Sequence, residues 1–175
     1  MKNRRLSSRY VYQGKIISLR VDDVQLPDGS KSIREVIEHP GAAVIVPIDS
    51  DGRVRLVRQY RDAAAQEMLE VPAGKLHPGE DPADCARREL AEELGLYAGE
   101  LTHLATFYSS PGFCDEILHA FMAQELSGVE GETDREEFLE PDSRPLEPVG
   151  ELVAEFKDAK SIIGVLLARQ ALGKC

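Results

Sequence analysis

GKLHPGEDPADCARRELAEELGL, residues 74–96, is the stretch whose reading decides the fold. Asp81 and Pro82 open a helix: Asp81 serves as the N-cap, Pro82 takes the first helical position, where its missing N–H costs nothing, and Asp84 lies near the positive end of the helix dipole. From there Ala83, Ala86, Leu90 and Leu94 recur at the three- and four-residue steps of one buried face, until Gly95 supplies a left-handed stop. The pattern predicts a helix of about three and a half turns. Glu89 and Glu93 are four residues apart with Glu92 between them, so three carboxylates project along one stripe. Like charges so spaced repel by a few tenths of a kcal/mol per pair, and the arrangement becomes favourable when a hard divalent cation sits among the oxygens. A solvated acidic face would use the same glutamates, but it gives no reason for the Gly-rich approach, for Glu80, or for Arg88 beside the cluster.

Upstream, Leu69 to Gly74 leads into the helix through a loop where Gly74 and Gly79 allow close backbone approach, and the Ala73 carbonyl is a candidate metal ligand. Gly74-Lys75 is not a nucleotide-binding P-loop, since no Gly precedes it by five residues and no Ser or Thr follows. Residues 42–48 and 54–60 read as a strand pair joined by the turn Asp49-Ser50-Asp51-Gly52, the first strand apolar throughout and central. Arg58, Gln59, Tyr60 and Arg61 then gather two guanidinium groups and a ring just before the acidic helix, suited to phosphate and to a base or sugar face, although surface ion pairing would account for the arginines equally well. Alternating stretches at 11–19, 21–26 and 32–37, punctuated by Pro27-Asp28-Gly29, predict a small antiparallel unit ahead of the main fold.

Downstream, residues 101–108 and 116–123 read as strands bridged by Ser109 to Phe113. The acidic, Gly-punctuated run 130–140 is expected to be a loop leading into one more short strand, and 142–148, rich in proline, a connector. Ile162, Ile163, Leu166, Leu167 and Ala171 predict a closing amphipathic helix over 159–172 that covers the sheet.

The chain of 175 residues, 42% hydrophobic, suffices for one well-buried domain with a small appendage. A net charge of −10 gives a nucleic-acid polymer no electrostatic footprint, and an anionic small-molecule substrate would need local arginines or metal ions to offset repulsion. Cys85, Cys114 and Cys175 are odd in number and widely spaced, which argues against a disulfide framework and a zinc site, and the four histidines show no ligand spacing. With neither a signal-type start nor a long apolar run, no membrane association is expected, and the expected location is cytoplasmic.

Gly74, Glu80, Arg88, Glu89, Leu90, Glu92, Glu93, Gly95 and Leu96 spell G-x5-E-x7-R-E-L-x-E-E-x-G-L, and here the sequence resembles the Nudix hydrolases, without a mismatch in the motif. LVRQYRDAAAQEMLEVPAGKLHPGE, SSPGFCDEILHAFMA and DAKSIIGVLLA extend the resemblance, from about residue 10 to 172, to the ADP-ribose pyrophosphatase branch. The resemblance implies an α/β/α sandwich with a mixed sheet, a division into an N-terminal β-subdomain (1–40) for dimerisation and substrate contacts and a hydrolase domain (41–175), and a homodimer. It implies hydrolysis of ADP-ribose to AMP and ribose 5-phosphate, or of a related nucleoside diphosphate sugar. GDP-mannose, NADH or dinucleoside polyphosphates are alternative substrates, and a non-catalytic nucleotide-sugar sensor is the alternative of another class.

The same resemblance supplies roles. Ala73, Glu89, Glu92 and Glu93 are expected to hold Mg²⁺ or Mn²⁺, with Glu80 bracing the loop or adding a ligand and Arg88 orienting the carboxylates. The general base is expected at Glu137 or Glu136, in the acidic loop, or at Glu92 or Glu93 on the helix. Arg34, Glu38, Arg58, Arg61, Glu70, Pro111, Gly112 and Phe113 are the candidate substrate contacts, with Phe113 or Tyr12 stacking on a base.

Overall fold

Gly14 closes the first turn of the chain by donating its N–H to the Ile17 carbonyl at 2.9 Å. In the computed structural model, which describes residues 2–128 and 138–173, this turn separates β1 (Arg4–Gln13) from β2 (Ser18–Gln25). The expected single strand over 11–19 is therefore two strands meeting at a hairpin. Every residue of β1 is exposed, so no buried face imposed an alternation that would mark its start at Arg4. Pro27-Asp28-Gly29 turns the chain as expected, with Gly29 at φ 87° and the Leu26 N–H on the Ser30 carbonyl at 2.8 Å, into β3 (Lys31–Glu38). The three strands form an antiparallel sheet in the order β1-β2-β3. Residues 1–41 and 108–117 make up one compact unit, and residues 42–107 and 118–175 the other.

The second unit is built around β4 (Ala42–Pro47), buried at every position. Side chains alternate across a strand, so Ala43 and Ile45 enter one apolar cluster and Ala42, Val44 and Val46 another. β5 (Arg53–Arg61) does not pair with β4 as a hairpin partner; a single bridge, Ile48 to Val54, links the two segments. A strand apolar on both faces belongs between two layers, whereas β5 alternates buried Val54 and Leu56 with Arg53 and exposed Arg55. After a 3₁₀ turn at Asp62–Ala64 come β6 (Gln66–Glu70), β7 (Ala73–Lys75), α1 (Pro82–Leu94), β8 (Leu96–Tyr108), β9 (Ile117–Gly128), β10 (Glu140–Pro145), α2 (Val149–Glu155) and α3 (Ala159–Ala171).

Two sheets result. One runs β7-β4-β9-β8, with β4 parallel to β9 and antiparallel to β7, and the other runs β10-β5-β6. α1 covers one face of β4 through Cys85, Ala86 and Leu90, and α2 and α3 pack on the other cluster through Leu152, Val165 and Ala168. This is an α/β/α sandwich with a mixed sheet. β10 occupies much of what the sequence reading assigned to a connector: Pro141 and Pro145, which argue against a central strand, are tolerated because β10 is an edge. Among the described residues no helix is long and apolar enough to cross a membrane.

Candidate active site

α1 begins and ends where its sequence dictates. Asp81 Oδ1 accepts the Ala83 N–H at 2.8 Å, Pro82 occupies the first turn, and Gly95 stops the helix at φ 62°. With Cys85, Ala86 and Leu90 committed to the sheet, the opposite stripe presents Glu89, Glu92 and Glu93. Arg88 fastens this stripe to the preceding loop. Its Nε and Nη2 donate to the two carboxylate oxygens of Glu80 at 2.9 and 3.0 Å, and its Nη1 donates to Glu89 Oε1 at 2.6 Å and Glu92 Oε2 at 2.9 Å. Glu80 also accepts the His77 N–H at 2.8 Å. The Arg88 guanidinium, with that backbone N–H, holds the Glu80 carboxyl down at about 2, and Glu80, then Glu89 and Glu92, push the Arg88 guanidinium up.

The loop touches the stripe through its backbone. A Cβ placed on Gly74 would lie 1.7 Å from Glu89 Cδ, so the carboxylate of Glu89 is seated directly on the Gly74 main chain. Glu93 Oε1 accepts the Ala73 N–H at 3.4 Å. Carboxylates from α1 and the peptide of β7 thus converge, an all-oxygen donor set of the kind hard divalent cations take. Among the described residues no group of three or more His, Cys, Asp or Glu side chains already closes around a cation position, since Arg88 draws Glu89 and Glu92 towards Glu80. Cys85 lies beneath the loop, its Sγ donating to the Gly74 and Lys75 carbonyls at 3.6 Å. Burial raises the Cys85 thiol to about 11, so it remains protonated and is no nucleophile at neutral pH.

The other residues singled out by sequence fall into two groups. Arg58, Arg61 and Glu70 share the second unit with the acidic stripe. Arg58 Nη2 donates to Asp142 Oδ2 at 3.0 Å, and Arg61 grips Glu70 with two hydrogen bonds of 2.8 Å. Glu70 is 2% exposed, and Lys160 Nζ also binds its Oε2. Burial pushes the Glu70 carboxyl up, but the Arg61 guanidinium and Lys160 ammonium outweigh it and hold the group below the usual carboxylate range. Its geometry is that of a brace for Arg61.

Arg34, Glu38, Pro111, Gly112 and Phe113 belong to the first unit. Arg34 is exposed and donates to Ser32 Oγ at 2.8 Å, Glu38 accepts from Arg20, and Phe113 is 55% exposed. The Ser110–Phe113 turn is tied to β3 by the Ile37 N–H on the Phe113 carbonyl at 2.7 Å. Glu136 and Glu137 lie outside the described residues.

Sequence reasoning missed the support at the start of α3. Between β6 and β7 the chain crosses from one sheet to the other through Val71 and Pro72. Pro72 has no N–H, and the Val71 N–H, buried in a residue 1% exposed, donates to Ser161 Oγ at 3.0 Å. Left unpaired, such a group costs about 1–3 kcal/mol. Asp158 caps α3 by accepting the Ser161 N–H at 2.9 Å and also binds Lys160 at 3.0 Å. Nothing local in the sequence shows that Ser161 and Lys160 reach back to residues ninety positions earlier.

Comparison with known proteins agrees with this geometry. A family model described as the NUDIX domain matches residues 38–168, and one described as the nucleoside diphosphate sugar hydrolase N-terminal domain matches residues 4–37. The chain is 41% identical to an ADP-ribose pyrophosphatase of Bacillus subtilis (strain 168), covering 94% of this chain and 91% of that protein. It is 37% identical to a methanol dehydrogenase activator of Bacillus methanolicus, covering 91% and 89% respectively. A crystal structure of an ADP compounds hydrolase superposes with a TM-score of 0.88 at 26% identity, over 99% of this chain and 96% of that one. The chain belongs to the Nudix hydrolase family.

Proposed function

We propose that the protein hydrolyses the diphosphate of ADP-ribose, or of a closely related nucleoside diphosphate sugar, by attack of water on phosphorus. The P–O–P bridge breaks, water supplies the oxygen of the new phosphate, and ADP-ribose gives AMP and ribose 5-phosphate. The observation that carries the reading is the convergence of Glu89 and Glu93 on the Ala73–Gly74 backbone, with Arg88 locking Glu80, Glu89 and Glu92 beside it. The 41% identity to an ADP-ribose pyrophosphatase over most of both chains supports the choice of substrate.

Glu89, Glu92, Glu93 and the Ala73 carbonyl would hold Mg²⁺ or Mn²⁺. Such an ion supplies positive charge at the diphosphate and activates water. Glu80, ionised at every physiological pH, keeps Arg88 turned onto the stripe, so the carboxylates are set before substrate arrives. The candidate proton acceptors are Glu92, Glu93, Glu136 and Glu137. Of these, Glu92 accepts from Arg88 at 2.9 Å while its side chain is 42% exposed. Arg58 and Arg61, held by Asp142 and Glu70, would offer guanidinium groups to the anionic substrate, and Arg34, Glu38, Pro111, Gly112 and Phe113 are the candidate contacts that lie in the first unit. The division of labour would follow residues 1–40 and 41–175, in a cytoplasmic homodimer. β1 supports the dimer, since its Leu6, Tyr10, Val11 and Tyr12 are 44–59% exposed on a strand exposed at every position.

The test is chromatographic. Purified protein is incubated with Mg²⁺ or Mn²⁺ and ADP-ribose, GDP-mannose, NADH or a diadenosine polyphosphate. AMP and ribose 5-phosphate from ADP-ribose are the expected products, and a protein that cleaves no member of the panel with either ion is not this hydrolase. Single Gln variants at Glu92, Glu93, Glu136 and Glu137 then locate the proton acceptor by the greatest loss of kcat.

A further inference from the structure

The Val71–Pro72 crossing feeds the Ala73–Gly74 peptide on which Glu89 and Glu93 are seated, so whatever fixes the crossing fixes one wall of the acidic site. Three ties hold it. The Pro72 carbonyl accepts the Ile45 N–H of central β4 at 2.9 Å, Glu70 is clamped between Arg61 and Lys160, and the Val71 N–H is satisfied by the Ser161 hydroxyl at 3.0 Å. Pro72 contributes no donor, so the Val71 N–H is the one main-chain donor of Val71–Pro72. Ser161 is itself completely buried, and its N–H on Asp158 Oδ2 at 2.9 Å fixes the backbone that carries the hydroxyl. The helix bearing it is pressed onto the sheet, with Gly164 so close that a Cβ there would lie 3.0 Å from Val46 Cγ2. A rigid capped helix start thus presents a fixed acceptor to a segment that has no sheet ladder of its own.

We propose that Ser161 is a positioning residue for the reaction, its hydroxyl setting the Ala73–Gly74 backbone against Glu89 and Glu93 through the Val71 peptide. Lys160 secures the adjacent Glu70 end of the same crossing. The inference rests on the hydrolase reading of the α1 site, and it adds a residue carried by α3 rather than by α1.

A purely structural Ser161 would lower stability and leave the site intact, so the test separates the two. Mn²⁺ affinity is measured by electron paramagnetic resonance titration, and kcat and KM are measured on the best substrate of the panel. These readings are taken for wild type, Ser161→Ala and Val165→Ala, the last a buried position of the same helix facing the core. The expected result for Ser161→Ala is Mn²⁺ binding weakened about tenfold and kcat lowered about tenfold, with KM within about twofold of wild type. Val165→Ala loses melting temperature but keeps both Mn²⁺ affinity and kcat. Wild-type Mn²⁺ affinity and kcat in Ser161→Ala, or losses in Val165→Ala equal to those in Ser161→Ala, overturn the proposal. If Ser161→Ala does not fold, Lys160→Met decides: a smaller loss of Mn²⁺ affinity in the same direction supports the proposal, and unchanged affinity overturns it. Wild type that binds Mn²⁺ but cleaves nothing removes the substrate reading while the Mn²⁺ comparison still decides the role of Ser161. Wild type that neither binds nor cleaves overturns both.

Discussion

Arg88 directs its donors at three carboxylates, a carbonyl and a sulfur: Glu80, Glu89, Glu92, Lys75 and Cys85. Its removal would take the guanidinium from between like charges. Glu80 should report this by its titration. Its carboxyl, held at about 2 rather than 4.5, contributes stability that is fully present above pH 4.5 and is lost as the pH falls towards 2. Side-chain ¹³C shifts should show Glu80 ionised through pH 4.5 in wild type and titrating higher in Arg88→Ala; an unchanged titration would mean that Arg88 is not its partner in solution. Glu93→Gln should lower kcat by roughly two orders of magnitude or more while leaving the melting temperature near wild type, because it removes charge from the site and nothing from the core. The acidic stripe was legible in the sequence because caps, periodicity and charge spacing all act within a few turns of one helix. The partners of Glu70 were not legible: Arg61 is nine positions away, but Lys160 is ninety, and no local pattern encodes a contact of that span.

At the level of elements, β4 and its two helices decide the architecture. Residues 42–48 announced a central strand through continuous apolarity, and their burial agrees. Their pairing was misread because a turn such as Asp49–Gly52 looks the same whether the next strand returns to the same sheet or departs to another. What separates the cases is the second strand: β5, with Arg53 and Arg55 alternating with Val54 and Leu56, belongs in a layer with one face wet. The short strand expected after the acidic run is β10, and its extent over 142–145 was assigned to a connector for a related reason, since proline discounts a central strand but permits an edge. The close approach of α3 to β4 gives a direct test. Gly164→Val should destabilise the protein by about 1–3 kcal/mol through overpacking against Val46, read as a fall in the urea midpoint at constant m-value. A neutral result would mean that α3 is not pressed against β4 there.

Across the whole molecule, charge and exposed apolar surface pull in different directions. A net charge of −10 keeps chains apart, yet β1 displays Leu6, Tyr10, Val11 and Tyr12 on a strand whose every residue is exposed. Sedimentation equilibrium should return twice the chain mass of 19.3 kDa, and Val11→Asp with Tyr12→Asp should return the monomer; a wild-type monomer at micromolar concentration would remove the dimer from the reading. Raising the ionic strength should tighten wild-type association, since it screens the acidic repulsion and leaves apolar burial in place.

The contact between Gly74 and Glu89 couples two positions fifteen apart in the chain. In a selection for activity from a library randomised at position 74 alone, glycine should be the sole survivor, because any side chain there begins inside the carboxylate of Glu89. The atoms in the way are the movable end of Glu89, so a stability screen should recover alanine or serine at 74 as folded chains with glutamate still at 89, its carboxylate displaced and turnover lost. Folding and turnover would thus sort the same pair of substitutions into different bins, with glycine at 74 answerable to turnover alone.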